Sequence, residues 1–191
     1  MTIIVKVLQD TDASSPREHD NVGVMACWHR RYNLGDVQPK QDPEEWLKEN
    51  APKGSIVLPL YLMDHSGISM STGSFGDPWD SGQVGYIVAT PARIREFTQK
   101  KRITAKLRAD VENWLKQEVK TYDDYLTGNV WGYTIESVKD CEACGQKTCG
   151  DDAIPVDDSC WGFYGDDLDG MKHHVDPKYH AALEEAWSNR G

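Results

Sequence analysis

Four of the five cysteines fall within 20 residues, in the pattern Cys141-x2-Cys144-x4-Cys149-x10-Cys160. Thiolates this close suit zinc, which takes four ligands in a tetrahedron and readily accepts sulfur. The tight turn of Cys141-x-x-Cys144 brings two sulfurs onto one ion, and Gly145 lets the backbone wrap it. Cys149 and Cys160 are the nearest further ligands, with His173 and His174 as substitutes. A full thiolate shell leaves no open coordination position, so such a zinc would be structural. Two readings compete with it: free cysteines on a solvent loop, and a redox Cys-x-x-Cys. The redox reading lacks a thioredoxin-like βαβ setting. Cys27 stands apart in an apolar stretch and is expected in the core.

The second cluster is Asp64-His65-Ser66-Gly67, which follows the most apolar segment of the chain. With His65 as general base and Asp64 as its orienter or a metal ligand, it would form a small-molecule or nucleotide hydrolase site. His19 with Asp20, His29, Asp77 and Asp80 are candidates to join it in space. Against this, neighbouring residues on a strand point to opposite faces. No G-x-S-x-G elbow surrounds the serines either. Loop capping and turn formation are the plain alternative. The stretch STGSFGD at 71–77 has glycines but no lysine, so it matches neither a P-loop nor G-x-G-x-x-G. Arg30 and Arg31 are expected in ion pairs rather than on a phosphate.

These residues need elements to hold them. Residue pattern predicts strands at 2–8, 22–28, 55–63, 68–72 and 83–89. Pro59 places the third of them at an edge or a bulge. Asp42 before Pro43 predicts a capped helix at Pro43–Asn50 with Trp46 and Leu47 on its buried side. Thr90-Pro91 starts a second helix. Residues 103–126 carry Ile103, Leu107, Val111, Trp114, Leu115, Val119, Tyr122 and Leu126 at three- and four-residue spacing, the stripe of a long amphipathic helix. Its Lys106, Arg108, Lys116 and Lys120 are expected on the solvated side, with contact to nucleic acid as the alternative. Gly128 and Asn129 end it. Trp131-Gly132-Tyr133 and Trp161-Gly162-Phe163 then flank the cysteines as two hairpin strands, with Trp131 and Trp161 expected to pair. Residues 177–187 form a last helix on the sheet. The fold class is α+β: a single domain 1–191, a mostly antiparallel β-sheet packed against two or three helices, with 140–160 as a cysteine-bearing hairpin insert.

Thirty-one acidic and 21 basic residues give a formal charge of −10, which argues against direct, non-specific nucleic-acid binding. The charge is uneven. Residues 140–170 hold nine acids and one base, whereas 91–120 hold nine bases and four acids. No run is long enough to span a membrane. The first ten residues lack the apolar core and cleavage site of a signal peptide. An odd number of cysteines gives no disulfide framework, so a reducing cytoplasm is the expected compartment.

Several longer strings carry a likeness: SPREHDNVGVMACWHRRYNLGD, LPLYLMDHSGISMST, PWDSGQVGYI, LTGNVWGYTIE and DSCWGFYG. They resemble a family of small proteins encoded by bacteriophages and related mobile elements, over about Ser15 to Gly165. The family brings no assigned activity or catalytic residue. The resemblance implies an early, non-structural protein of the bacterial cytoplasm that inhibits host defence or redirects host machinery. The dense acids of residues 140–170 mark that segment as an interaction surface, in which Asp151, Asp152, Asp157, Asp158 and Trp161 are expected to contact a basic host protein, such as a nucleic-acid-binding enzyme. An acidic surface imitates the phosphates of DNA. A hydrolase using Asp64 and His65 is the alternative, and a structural zinc-binding protein with a housekeeping phage role is the third.

Overall fold

The computed structural model describes residues 2–138 and 156–190. In chain order its elements are β1 (Thr2–Gln9), β2 (Val24–Cys27), α1 (Pro43–Asn50), β3 (Ile56–Asp64), β4 (Ile68–Ser71), β5 (Ser81–Ala89), α2 (Pro91–Thr98), α3 (Ala105–Leu126), β6 (Val130–Val138), β7 (Val156–Tyr164), α4 (Leu168–His174) and α5 (His180–Ser188). The class is mixed α+β, with antiparallel sheets packed against several helices. The chain falls into two compact units: a central unit, Ser15–Thr127, and a terminal unit of Met1–Ser14 with Gly128–Gly191.

The central unit is built on a four-stranded sheet of order β2-β5-β3-β4. Asp42 caps α1 by accepting from the backbone N–H groups of Glu44 and Glu45, Thr90 caps α2, and Thr104 caps α3. Each satisfies donors that the first helical turn leaves unpaired. The α3 stripe of Leu107, Val111, Leu115 and Val119 packs with Met25, Leu60, Ile87 and Ile94. Trp46 of α1 covers Ala26 and Val88 instead. Because Ile87 and Val88 alternate along β5, that strand is buried on both faces. Pro59 sits beyond the reach of the short β4, which pairs only with Tyr61–Asp64, and a register shift follows at Leu60/Tyr61. On the β4 side of the strand, Pro59 therefore has no ladder to interrupt. Trp114, expected in the stripe, is 37% exposed and leans on the still more exposed Phe97.

The terminal unit has a three-stranded antiparallel sheet of order β1-β6-β7. Val7, Tyr133, Ile135 and Phe163 meet Met171 of α4, Val175, and Leu183 and Trp187 of α5. The expected ring pair does not form. Trp131 lies opposite Phe163 and stands edge-on to Trp187, with centroids 6.3 Å apart. Trp161 instead packs over Gly132. The register shift between Trp131 and Tyr133, with Gly162 at φ +84°, places the two tryptophans out of register. The cysteine-rich tip, 140–155, lies outside the described residues.

Candidate functional site

Asp64 ends β3, and His65 starts the turn to β4. Their side chains go separate ways. Asp64 takes an ion pair from Arg31 and a 3.4 Å hydrogen bond from the Tyr32 hydroxyl. The Tyr32 ring is stacked on His29 at 5.0 Å. His65 Nδ1 lies 2.7 Å from Asp80 Oδ2. Asp77 accepts the backbone N–H groups of Asp80 and Trp79, which lower its pKa and fix the turn carrying Asp80. So the partner of His65 is Asp80, not Asp64, and Arg31 is in the ion pair expected of it. His19 caps the 3-10 turn Pro16–Glu18 and makes no contact with His65 among the described residues. The His65 side chain is 70% exposed, so water reaches the imidazole.

A cleft of ≈ 700 Å³ in the central unit is lined by Arg17, Arg31, Tyr32, Asp36, Tyr122 and Tyr125, among others. Its polar floor is already engaged. The Arg17 guanidinium, 5% exposed, donates to Asp36 at 2.7 and 3.0 Å, to Glu118 at 3.0 Å and to the Gly23 carbonyl at 2.8 Å. Glu118 also accepts from Val22 N–H, and Asp36 from Met25 N–H, so the two carboxylates hold the backbone leading into β2. Burial works against the charged guanidinium, and the bonds and charges of Asp36 and Glu118 outweigh it, leaving the Arg17 pKa raised. Burial next to Asp36 pushes the Cys27 thiol up to about 12, so Cys27 is an unreactive core residue, as its sequence setting indicated. Arg17 and Glu118 gave no sequence signal, because 101 residues separate them.

The remaining candidates lie on β7, an edge strand of the terminal unit. Asp157, Asp158 and Trp161 are all exposed, Trp161 by 45%. A Cβ on Gly132 would overlap the Trp161 ring and approach the Cys160 carbonyl to 2.9 Å. The indole thus lies against bare backbone, which fixes its position while leaving its outer side open. Leu8, 42% exposed, stands in register with Gly132 on β1. Asp157 accepts from the Ser137 hydroxyl, and Asp158 from the Tyr133 hydroxyl at 3.2 Å. Burial and the Asp158 charge raise the Tyr133 pKa to about 12, so it stays a donor. Acids on an edge strand also discourage pairing with another chain. Asp151, Asp152, Cys141, Cys144 and Cys149 lie outside the described residues. Cys160 packs against the apolar cluster of its unit. His173 and His174 sit on α4, where His173 Nδ1 is 2.7 Å from the Asp169 carbonyl and His174 meets the Phe163 ring. Among the described residues no three metal-ligating side chains converge.

No family model, no curated protein and no solved structure matches this chain. No helix among the described residues is long and apolar enough to cross a membrane. The charge follows the division into units. The terminal unit holds fifteen acidic and six basic residues, a formal −9, and the central unit sixteen and fifteen, a formal −1.

Proposed function

We propose that this chain is a non-catalytic binding protein whose acidic terminal unit docks on a basic surface of a host cytoplasmic protein and inhibits or redirects it. The observation that carries this is Trp161, an open indole held against Gly132 on an acidic strand. A pre-positioned ring loses little freedom on binding, so it suits the centre of an interface. Surrounding acids speed encounter with a basic partner and make it salt-sensitive. The resemblance to phage-encoded proteins makes that partner bacterial, and a nucleic-acid enzyme offers the fitting basic groove.

The test is affinity capture from bacterial lysate, followed by measurement of the identified complex with purified partner. Trp161→Ala should weaken it by about 2 kcal/mol or more, mostly through faster dissociation. Neutralising Asp151, Asp152 and Asp157 to Asn should slow association and flatten its salt dependence. Asp158 is left in place because it holds Tyr133. Equal affinity for wild type and both variants would remove this strand from the mechanism.

A hydrolase is the second reading, favoured by the 2.7 Å His65–Asp80 pair, with Asp80 orienting the base in place of Asp64. Turnover of a nucleotide or peptide, abolished by His65→Gln, would replace the binding reading.

A structural zinc on Cys141, Cys144, Cys149 and Cys160 belongs to the same proposal. Native mass spectrometry should find one zinc per chain, lost on Cys144→Ser. Metal-free native protein with reactive thiols at these four positions would sink it.

A further inference from the structure

The central unit carries a dense run of cations that no carboxylate offsets among the described residues. Between Arg93 and Arg108 stand seven cations and one acid, Glu96, a formal +6 in a chain of −10. All seven are exposed: Arg93, Arg95, Lys100, Lys101, Arg102, Lys106 and Arg108. None forms an ion pair with a carboxylate among the described residues. Arg93, Arg95 and Arg108 donate to the backbone carbonyls of Val22, Pro91 and Gly54, which orient them without cancelling their charge. Lys116 and Lys120, farther along α3, are by contrast paired with Glu112 and Asp124.

Folding gains little from this arrangement. Lys106 and Arg108 occupy the first turn of α3, which contains no acid, and cations are unfavourable at that end of a helix dipole. The crowded cations also repel one another. Phe97 and Trp114 are 51% and 37% exposed and touch each other, with centroids 5.9 Å apart, and Phe97 lines a pocket with Arg93, Asn21, Glu96 and Asp20. Phe97 is three residues before Lys100, and Lys106 lies two helical turns before Trp114 on α3. Cations alone would suit any polyanion. Exposed rings among cations suit one with flat apolar faces, which a carboxylate-rich peptide lacks and an unpaired base offers.

We propose that the surface formed by α2, the 99–104 turn and the start of α3 binds single-stranded nucleic acid, through phosphate contacts to the cations and base stacking on Phe97 and Trp114. The net acidity of the chain does not forbid this, because fields beyond a Debye length of about 8–10 Å are screened. The inference is independent of the terminal unit's proposed partner.

The test is fluorescence anisotropy of the full chain with labelled 20-nucleotide oligo-dT, and with a duplex of the same length, across 0.05–0.2 M salt. The single strand should bind more tightly than the duplex, and affinity should fall with salt. Replacing Lys100, Lys101 and Arg102 together by Ala should weaken binding about 100-fold near 0.1 M salt and flatten the log–log slope by about 2, the share of three phosphate contacts. These side chains are exposed, so the variant should keep the wild-type unfolding temperature. Phe97→Leu and Trp114→Leu together should weaken binding about tenfold with the slope unchanged. No binding at 0.05 M salt, a preference for duplex, or wild-type binding by the triple-Ala chain would each overturn the proposal. Full binding by the Leu pair, with equal competition by polyglutamate, would assign the surface to an acidic protein instead.

Discussion

Replacing Arg17 by Met should destabilise the protein by about 3–5 kcal/mol, the usual result of stripping one partner from a buried ion network. The guanidinium is 5% exposed and satisfies two carboxylates and one carbonyl. Without it Asp36 and Glu118 remain as two anions near one site, still accepting from the backbone N–H groups of Val22 and Met25. Neither can turn to water without releasing the chain into β2, whose Met25, Ala26 and Cys27 are buried. Methionine keeps much of the volume, so the loss reports charge rather than a cavity. Urea unfolding should show it, and 1 M salt should not remove it, since a desolvated pair is poorly screened. Adding Glu118→Gln should recover part of the loss, because it removes one of the stranded anions. A change under about 1 kcal/mol would place the network with ordinary surface salt bridges.

That network also marks where the sequence stops being informative. Capped starts were legible because their chemistry is local: Asp42-Pro43 and Thr90-Pro91 carry cap and first-turn residue side by side. The α3 stripe and the strands of both sheets were legible from spacing. Helix α4 was not, because LDGMKHH is seven residues long with Gly170 inside it and shows no stripe. Burial of β5 on both faces was hidden as well, since the Trp46 that covers Val88 comes from a distant segment. At the candidate sites the same limit applies. The spacing of Asp64 and His65 could show that they diverge. It could not show that His65 would meet Asp80, 15 residues on, or that Arg31 would reach back to Asp64. The glycine under Trp161 was legible as room for a ring. Which ring filled it depended on a register shift that the pattern of Trp-Gly-aromatic repeats does not encode.

Two glycines on one strand should respond to alanine with opposite signs. Gly85 of β5 lies in register with Cys27 of β2. A Cβ there would overlap the Ala26 carbonyl oxygen and lie 3.0 Å from Cys27 Cα. Both are backbone atoms of a paired strand, so no rotamer change relieves them. The strands would have to separate, straining the bond from Trp28 N–H to the Val84 carbonyl, now 2.7 Å. They would also draw Met25 and Ala26 out of two packed layers. Gly85→Ala should therefore cost about 3 kcal/mol, the upper end for overpacking a core. Gly82, three residues earlier in β5, has nothing within 4 Å of the Cβ position. There alanine only restricts the unfolded chain, so Gly82→Ala should stabilise by about 0.5 kcal/mol. Parallel urea titrations of the two variants give the comparison without reference to any ligand. A difference below about 1 kcal/mol between them would mean that β2 can shift off β5 cheaply, and that its fixed position owes more to the Arg17 network than to the close approach of the two backbones.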